Sequence, residues 1–294
     1  MKHVSAGALD VAYFEVGPAD GEPVILLHGF PYDAHAYDEV SVLLAAAGKR
    51  CIVPFLRGYG PTRFLNEDSV RSGQQAALGA DLKALMDALD LPTAVLAGYD
   101  WGGRAACLVA ALWPERVRGL VSCGTAYNLH NVRTARRPSA LDQESRHWYW
   151  YFLNAERGRT ALVEDRRRLC GFLWTQWSPG WKFTDALFER TAASFDNPDF
   201  AAVVIHSYRH RIGEVIGDTR LDHIEQRLAE QPVINVPTSV LQGGDDGVDP
   251  PQPFKTDAAH FGGGVRHRIL SGIGHNVPQE APRAFADAVL ALIS

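Results

Sequence analysis

Val95-Leu96-Ala97-Gly98-Tyr99-Asp100-Trp101-Gly102-Gly103-Arg104-Ala105 is the stretch on which the fold of this chain turns. Its first residues form a short apolar run suited to a strand buried on both faces, and its last residues open a helix. Between them Gly98 and Gly102 flank Asp100 in the spacing G-x-D-x-G. A strand that turns this sharply into a helix strains the central residue and brings its neighbours too close for a β-carbon, which glycine tolerates. The central side chain then stands exposed above the strand, as in a nucleophile elbow. Aspartate also caps helices in many proteins, but its place after an apolar strand favours function. A carboxylate opens esters poorly yet can displace a leaving group from saturated carbon, so alkyl electrophiles are the expected substrates.

Outward from this stretch, short apolar runs alternate with longer helix-like segments. Val24-Ile25-Leu26-Leu27, Cys51-Ile52-Val53 and Leu120-Val121-Ser122 read as further strands, the pattern of parallel βαβ construction. Gln74 to Leu91 carries apolar residues at helical spacing and is stopped by Pro92, which supplies a crossover helix. From Tyr127 to Gln231 the strand alternation gives way to aromatic, arginine-rich helical sequence that includes Trp148, Trp150, Trp174, Trp177 and Trp181. An α/β core over residues 1–126 and 232–294 with a helical cap at 127–231 is therefore expected. The alternation resumes at Thr238 to Gln242 and Val265 to Leu270, and Pro282 to Leu292 reads as a closing amphipathic helix.

Three other strand ends carry chemistry. Leu27-His28-Gly29-Phe30-Pro31 follows a strand and can aim the Phe30 N–H at the same point as the Trp101 N–H, which would make an oxyanion hole. Ile273-Gly274-His275-Asn276-Val277-Pro278 follows the last strand and offers His275 as general base. Gly243-Gly244-Asp245-Asp246-Gly247 should supply the acid that orients this imidazole, Asp246 in preference to Asp245. The chain order is then nucleophile, acid, histidine.

Composition narrows the partners. At 294 residues with 46% hydrophobic and 21% charged residues, the chain reads as an ordinary globular protein of one core plus an insertion. A formal net charge of −5 argues against nucleic acid or an anionic membrane and leaves a small molecule as the expected partner. No stretch approaches the roughly 18 apolar residues of a membrane span, and the expected location is cytoplasmic. Cys51, Cys107, Cys123 and Cys170 lack metal or dithiol spacing and are expected to be reduced. His206 and His210 are spaced i,i+4 but lack a third ligand, so neither metal nor cofactor is expected. The chain is expected to be a monomer or a homodimer.

His28-Gly29-Phe30-Pro31, Arg57-Gly58-Tyr59-Gly60-Pro61, Gly98-Tyr99-Asp100-Trp101-Gly102-Gly103 and Gly274-His275 resemble the epoxide hydrolase and dehalogenase branch of the α/β-hydrolases. The resemblance implies an α/β-hydrolase fold, a mostly parallel sheet flanked by helices with an inserted helical cap. It also implies a two-step reaction, in which the aspartate forms an alkyl ester and a histidine-activated water hydrolyses it. Epoxide hydrolases carry two cap tyrosines as proton donors. Ile205-His206-Ser207-Tyr208-Arg209 resembles the segment of the second, whereas the first falls near His147-Trp148-Tyr149-Trp150-Tyr151-Phe152, with Trp148 at the expected place and Tyr149 one position away. Haloacetate dehalogenases resemble the chain at Asp100 and Arg104 but have arginine where Trp101 stands. Haloalkane dehalogenases carry tryptophan there, and Trp148 or Trp150 could be its partner for halide. His28, Pro31, Trp148, Trp150 and Arg104 are accordingly expected to line the substrate. Epoxide opening is the leading expectation, dehalogenation the second, and a pocket that binds without turnover the third.

Overall fold

The computed structural model describes residues 1–293. Strands β1 (Lys2–Ala6), β2 (Leu9–Val16), β3 (Glu22–Leu27), β4 (Lys49–Pro54), β5 (Arg63–Phe64), β6 (Ala94–Tyr99), β7 (Val117–Cys123), β8 (Thr238–Gly243) and β9 (Val265–Leu270) form one sheet in the order β1-β2-β4-β3-β6-β7-β8-β9, with β5 paired to β2. Pairing is parallel from β4 through β9 and antiparallel around β2. The β1–β2 hairpin, closed at Gly7 with φ of 59°, was not anticipated from the apolar runs.

Helices α1 (Asp38–Ala46), α2 (Gln75–Ala88) and α3 (Asp100–Leu112) cross between early strands. Between β7 and β8 the chain runs through α4 (Leu141–Arg146), α5 (Trp148–Asn154), α6 (Glu156–Glu164), α7 (Arg166–Trp177), α8 (Asp185–Ala192), α9 (Phe200–Arg211) and α10 (Asp222–Ala229), and α11 (Val277–Glu280) and α12 (Pro282–Leu290) close it. This is an α/β-hydrolase architecture with a mostly parallel sheet. No helix among the described residues is long and apolar enough to cross a membrane.

Burial explains the elements. All six residues of β6 are buried, as a central strand covered on both faces requires, whereas edge strand β9 is half-exposed. In α7 the buried residues Cys170, Leu173, Trp174 and Trp177 fall at i, i+3, i+4 and i+7, and the arginines face outward. In α9 Phe200, Val203, Val204, Ser207 and Tyr208 repeat the same stripe. The inserted helices are tied to the sheet by polar bonds. Trp174 Nε1 donates to the Pro31 carbonyl at 2.8 Å. Thr191 and Ser194 donate to buried Asp33 at 3.1 and 2.6 Å. At the far end of the insertion, Glu225 of α10 accepts from the Ala76 N–H in the first turn of α2, where a carboxylate complements the helix dipole.

Candidate active site

The parallel register dictates where the strand ends meet. Leu27 of β3 lies opposite Gly98 of β6, and Gly243 of β8 opposite Leu270 of β9. The loops carrying Phe30, Asp100, Asp246 and His275 therefore open on one edge of the sheet, at the carboxyl ends where α/β proteins bind ligands.

Asp100 starts α3 directly after β6 with φ of 50°, a left-handed conformation that costs a non-glycine residue of the order of 1–3 kcal/mol. Packing holds it there. A β-carbon on Gly102 would overlap the backbone of Leu27 and His28, and one on Gly98 would meet Gly102 at 2.5 Å. Across the cleft, a β-carbon on Gly29 would overlap the Asp100 side chain. The Phe30 N–H donates to Asp100 Oδ1 at 2.7 Å. The Trp101 N–H lies in the first turn of α3, where backbone donors lack an intrahelical acceptor.

Opposite Asp100, His275 is buried with Nδ1 2.8 Å from Asp246 Oδ2, while its Nε2 lies 3.9 Å from Asp100 Oδ2 and has no hydrogen-bond partner. Asp246 is itself held by the N–H groups of Val248 and Asp249, at 2.9 and 2.8 Å. Asp245 is exposed and its side chain is not on the imidazole. The bond to Asp246 fixes the proton on Nδ1 and leaves Nε2 to face Asp100. Burial pulls the His275 pKa down, but the charges of Asp246, Asp100 and Asp249 outweigh it and raise the group to about 9. Ser178 Oγ, on the turn after α7, accepts the His275 N–H at 3.0 Å.

The cavity above Asp100 is narrow, with about 10 Å³ of room for water centres, about one molecule. The inserted helices supply Tyr149 from α5 and Tyr208 from α9, their rings edge to face at 5.2 Å. The Tyr208 hydroxyl is buried without a partner. Burial raises both phenol pKa values well above the ordinary range, so both remain protonated donors. Trp150 and Arg104 also line this cavity.

Three residues expected there lie elsewhere. His28 is buried beneath the site, its Nε2 accepting from the Leu56 N–H at 3.0 Å and its pKa pushed down to about 3 by burial. Pro31 meets the insertion through its carbonyl. Trp148 points away, its Nε1 donating to Gln176 at 3.0 Å. In exchange the cavity is lined by His147, Asp249, Asn128 and Arg211, which the sequence reading did not single out. His147 Nε2 lies 3.2 Å from Asp249 Oδ1, and Asn128 donates to the Asp100 carbonyl at 2.7 Å. Only Arg211 left a legible signal, falling three residues after Tyr208 on one helical face.

The model of the alpha/beta hydrolase fold family matches residues 22–282. The chain belongs to this family. A solved structure from Klebsiella pneumoniae, a "putative epoxide hydrolase", is 44% identical with a TM-score of 0.95, covering 99% of this chain and 96% of that one. The epoxide hydrolase of Caballeronia sordidicola is 34% identical over 100 residues, 34% of this chain and 30% of its own. The haloalkane dehalogenase of Psychrobacter cryohalolentis is 34% identical over 109 residues, 37% of this chain and 35% of its own. The chain thus spans about a third of the length of these two curated relatives. These likenesses place it among α/β-hydrolase enzymes, in the epoxide hydrolase and dehalogenase branch.

Proposed function

We propose that this chain hydrolyses an epoxide to a diol through an ester on Asp100, with residues 127–231 acting as a cap over the reacting carbon. The observation that carries this reading is the convergence of Asp100, the His275–Asp246 pair and the free Tyr208 hydroxyl on one closed cavity. Asp100 Oδ1 is held by the Phe30 N–H, so Oδ2 attacks the ring carbon. The C–O bond of the ring breaks, and its oxygen takes a proton from Tyr208 or Tyr149.

Hydrolysis follows at the same carboxyl group. His275 Nε2 takes a proton from water as the water oxygen attacks Asp100 Cγ. Charge builds on Oδ1, where the Phe30 and Trp101 N–H groups stabilise it. The tetrahedral centre then expels the substrate oxygen, which takes the proton from His275, and a diol and free Asp100 result.

A second reading, displacement of halide from a haloalkane, is supported by the buried, unpartnered Trp101 Nε1. Such an N–H is a donor suited to a departing anion. Intact-mass measurement of His275→Gln after exposure to an aryl epoxide, a haloalkane and a haloacetate separates the readings. An epoxide adduct carries the whole reagent mass, whereas a halide adduct lacks the halogen. An unmodified Asp100 with all three reagents sinks the covalent mechanism and favours a protein that binds without turnover.

A further inference from the structure

We propose that Arg104 and Arg211 form an anion subsite beside Asp100, and that the electrophile this site takes is a compact carboxylate. The substrate class rests on the hydrolase reading above; the subsite itself does not. Arg104 follows Asp100 by four residues, one turn along α3, and is 4% exposed. Its Nε is buried without a hydrogen-bond partner, and no described residue forms an ion pair with its guanidinium. Arg211 follows Tyr208 by three residues and faces the same cavity. Its guanidinium lies over the Trp150 ring, 4.3 Å from the centroid, with no carboxylate within ion-pair distance among the described residues.

A buried guanidinium without an acceptor is costly, and two of them at one small cavity compound the cost by repulsion. Burial and the charge of Arg211 together push the Arg104 pKa down to about 10. The same two arginines, together with burial, depress His130 nearby. The carboxylates at hand do not close the balance. Asp246 is bonded to His275 and Asp249 to His147, which leaves Asp100 facing two arginines. Asp100 also loses its charge once it becomes an ester. One further monoanion restores neutrality, and a carboxylate presents the paired acceptors that a guanidinium fork fits. Phosphate monoesters, dianionic and bulkier, suit this narrow space less well.

Two arms test the proposal. In the binding arm, propionate and propionamide are titrated into wild type and into the Arg211→Gln and Arg104→Gln variants, with Trp150 fluorescence as the signal and chloride as the ionic-strength control. Propionate should bind at least about tenfold tighter than propionamide, and either substitution should abolish that preference, the scale of one charge-assisted hydrogen bond. Equal binding of the two probes by wild type, or a preference surviving in both variants, overturns the subsite. In the turnover arm, kcat/KM is compared for glycidate against glycidamide and for chloroacetate against chloroacetamide. A wild-type preference of about tenfold or more for the anionic member of a pair supports the substrate class, and equal or faster turnover of the amides overturns it. If no reagent alkylates Asp100 while propionate still binds selectively, the hydrolase reading fails and the subsite stands.

Discussion

Phe30 and Asp100, seventy residues apart, are joined by a 2.7 Å hydrogen bond from the Phe30 N–H to Asp100 Oδ1. The bond makes the two carboxylate oxygens unequal, since Oδ1 sits on a backbone donor and Oδ2 faces His275. It depends on Gly29, where a β-carbon would lie 2.8 Å from Asp100 Cγ. Gly29→Ala should therefore displace the carboxylate and lower kcat by about 10²-fold, the scale of one lost oxyanion donor. Steady-state turnover of an epoxide checks this, and unchanged kcat refutes the assigned role of the Phe30 N–H.

Asp246→Asn should impair the second step far more than the first, because Asp246 orients the imidazole that activates water and does not face the substrate carbon. A stoichiometric burst followed by an accumulating ester is expected in intact-mass spectra, with kcat reduced by the order of 10³–10⁴. Asp245→Asn, at an exposed position, should change stability by less than about 0.5 kcal/mol.

Tyr208→Phe removes a buried hydroxyl that has no partner. Stability should hold or rise, since no hydrogen bond is lost and a desolvated group disappears. Epoxide turnover should nevertheless fall by about 10²–10⁴, the worth of a positioned acid, while halide displacement falls much less. A melting curve and the two activity ratios report these effects separately; a large loss of stability would mark Tyr208 as structural.

His275, raised to about 9 in the free protein, should become less basic once Asp100 is esterified and its charge is gone. Ester hydrolysis needs neutral Nε2, so kcat should rise with pH and level off at an apparent pKa below about 9. The stability linkage has the opposite sign. A histidine raised from 6.5 to about 9 on folding stabilises fully below about 6.5, and this contribution, about 3 kcal/mol, is lost as pH rises through 9. His275→Gln should flatten the melting temperature between pH 6.5 and 9.

Asp33 lies under the insertion with its carboxyl raised to about 6, because burial outweighs its partners His35, Ser194 and Thr191. A carboxyl raised above its unfolded value of 3.8 favours folding at low pH and loses that contribution as pH climbs through 6. Asp33→Asn should remove this slope between pH 4 and 6, as followed by thermal melts.

Legibility in the sequence tracked how local each feature is. The elbow around Asp100 and the strands beside it could be read because their glycines and apolar runs are contiguous. Asp246 could be separated from Asp245 only in space, where one of them meets His275. In α5, a seven-residue helix aromatic at five of its first five positions, periodicity could not set the phase. Packing turned Tyr149 and Trp150 inward and Trp148 out to Gln176.

By itself, then, the sequence determined the order of strands and helices, the turn that exposes Asp100, and the motifs at the strand ends. These depend on backbone sterics and on apolar spacing within a few residues. The tertiary structure alone decided which charges share a cavity. Arg104 and Arg211 lie 107 positions apart on different helices, and only the packing of α9 over α3 brings two otherwise unpaired cations to Asp100. Burial sets the energy of a charge, and burial belongs to the folded chain.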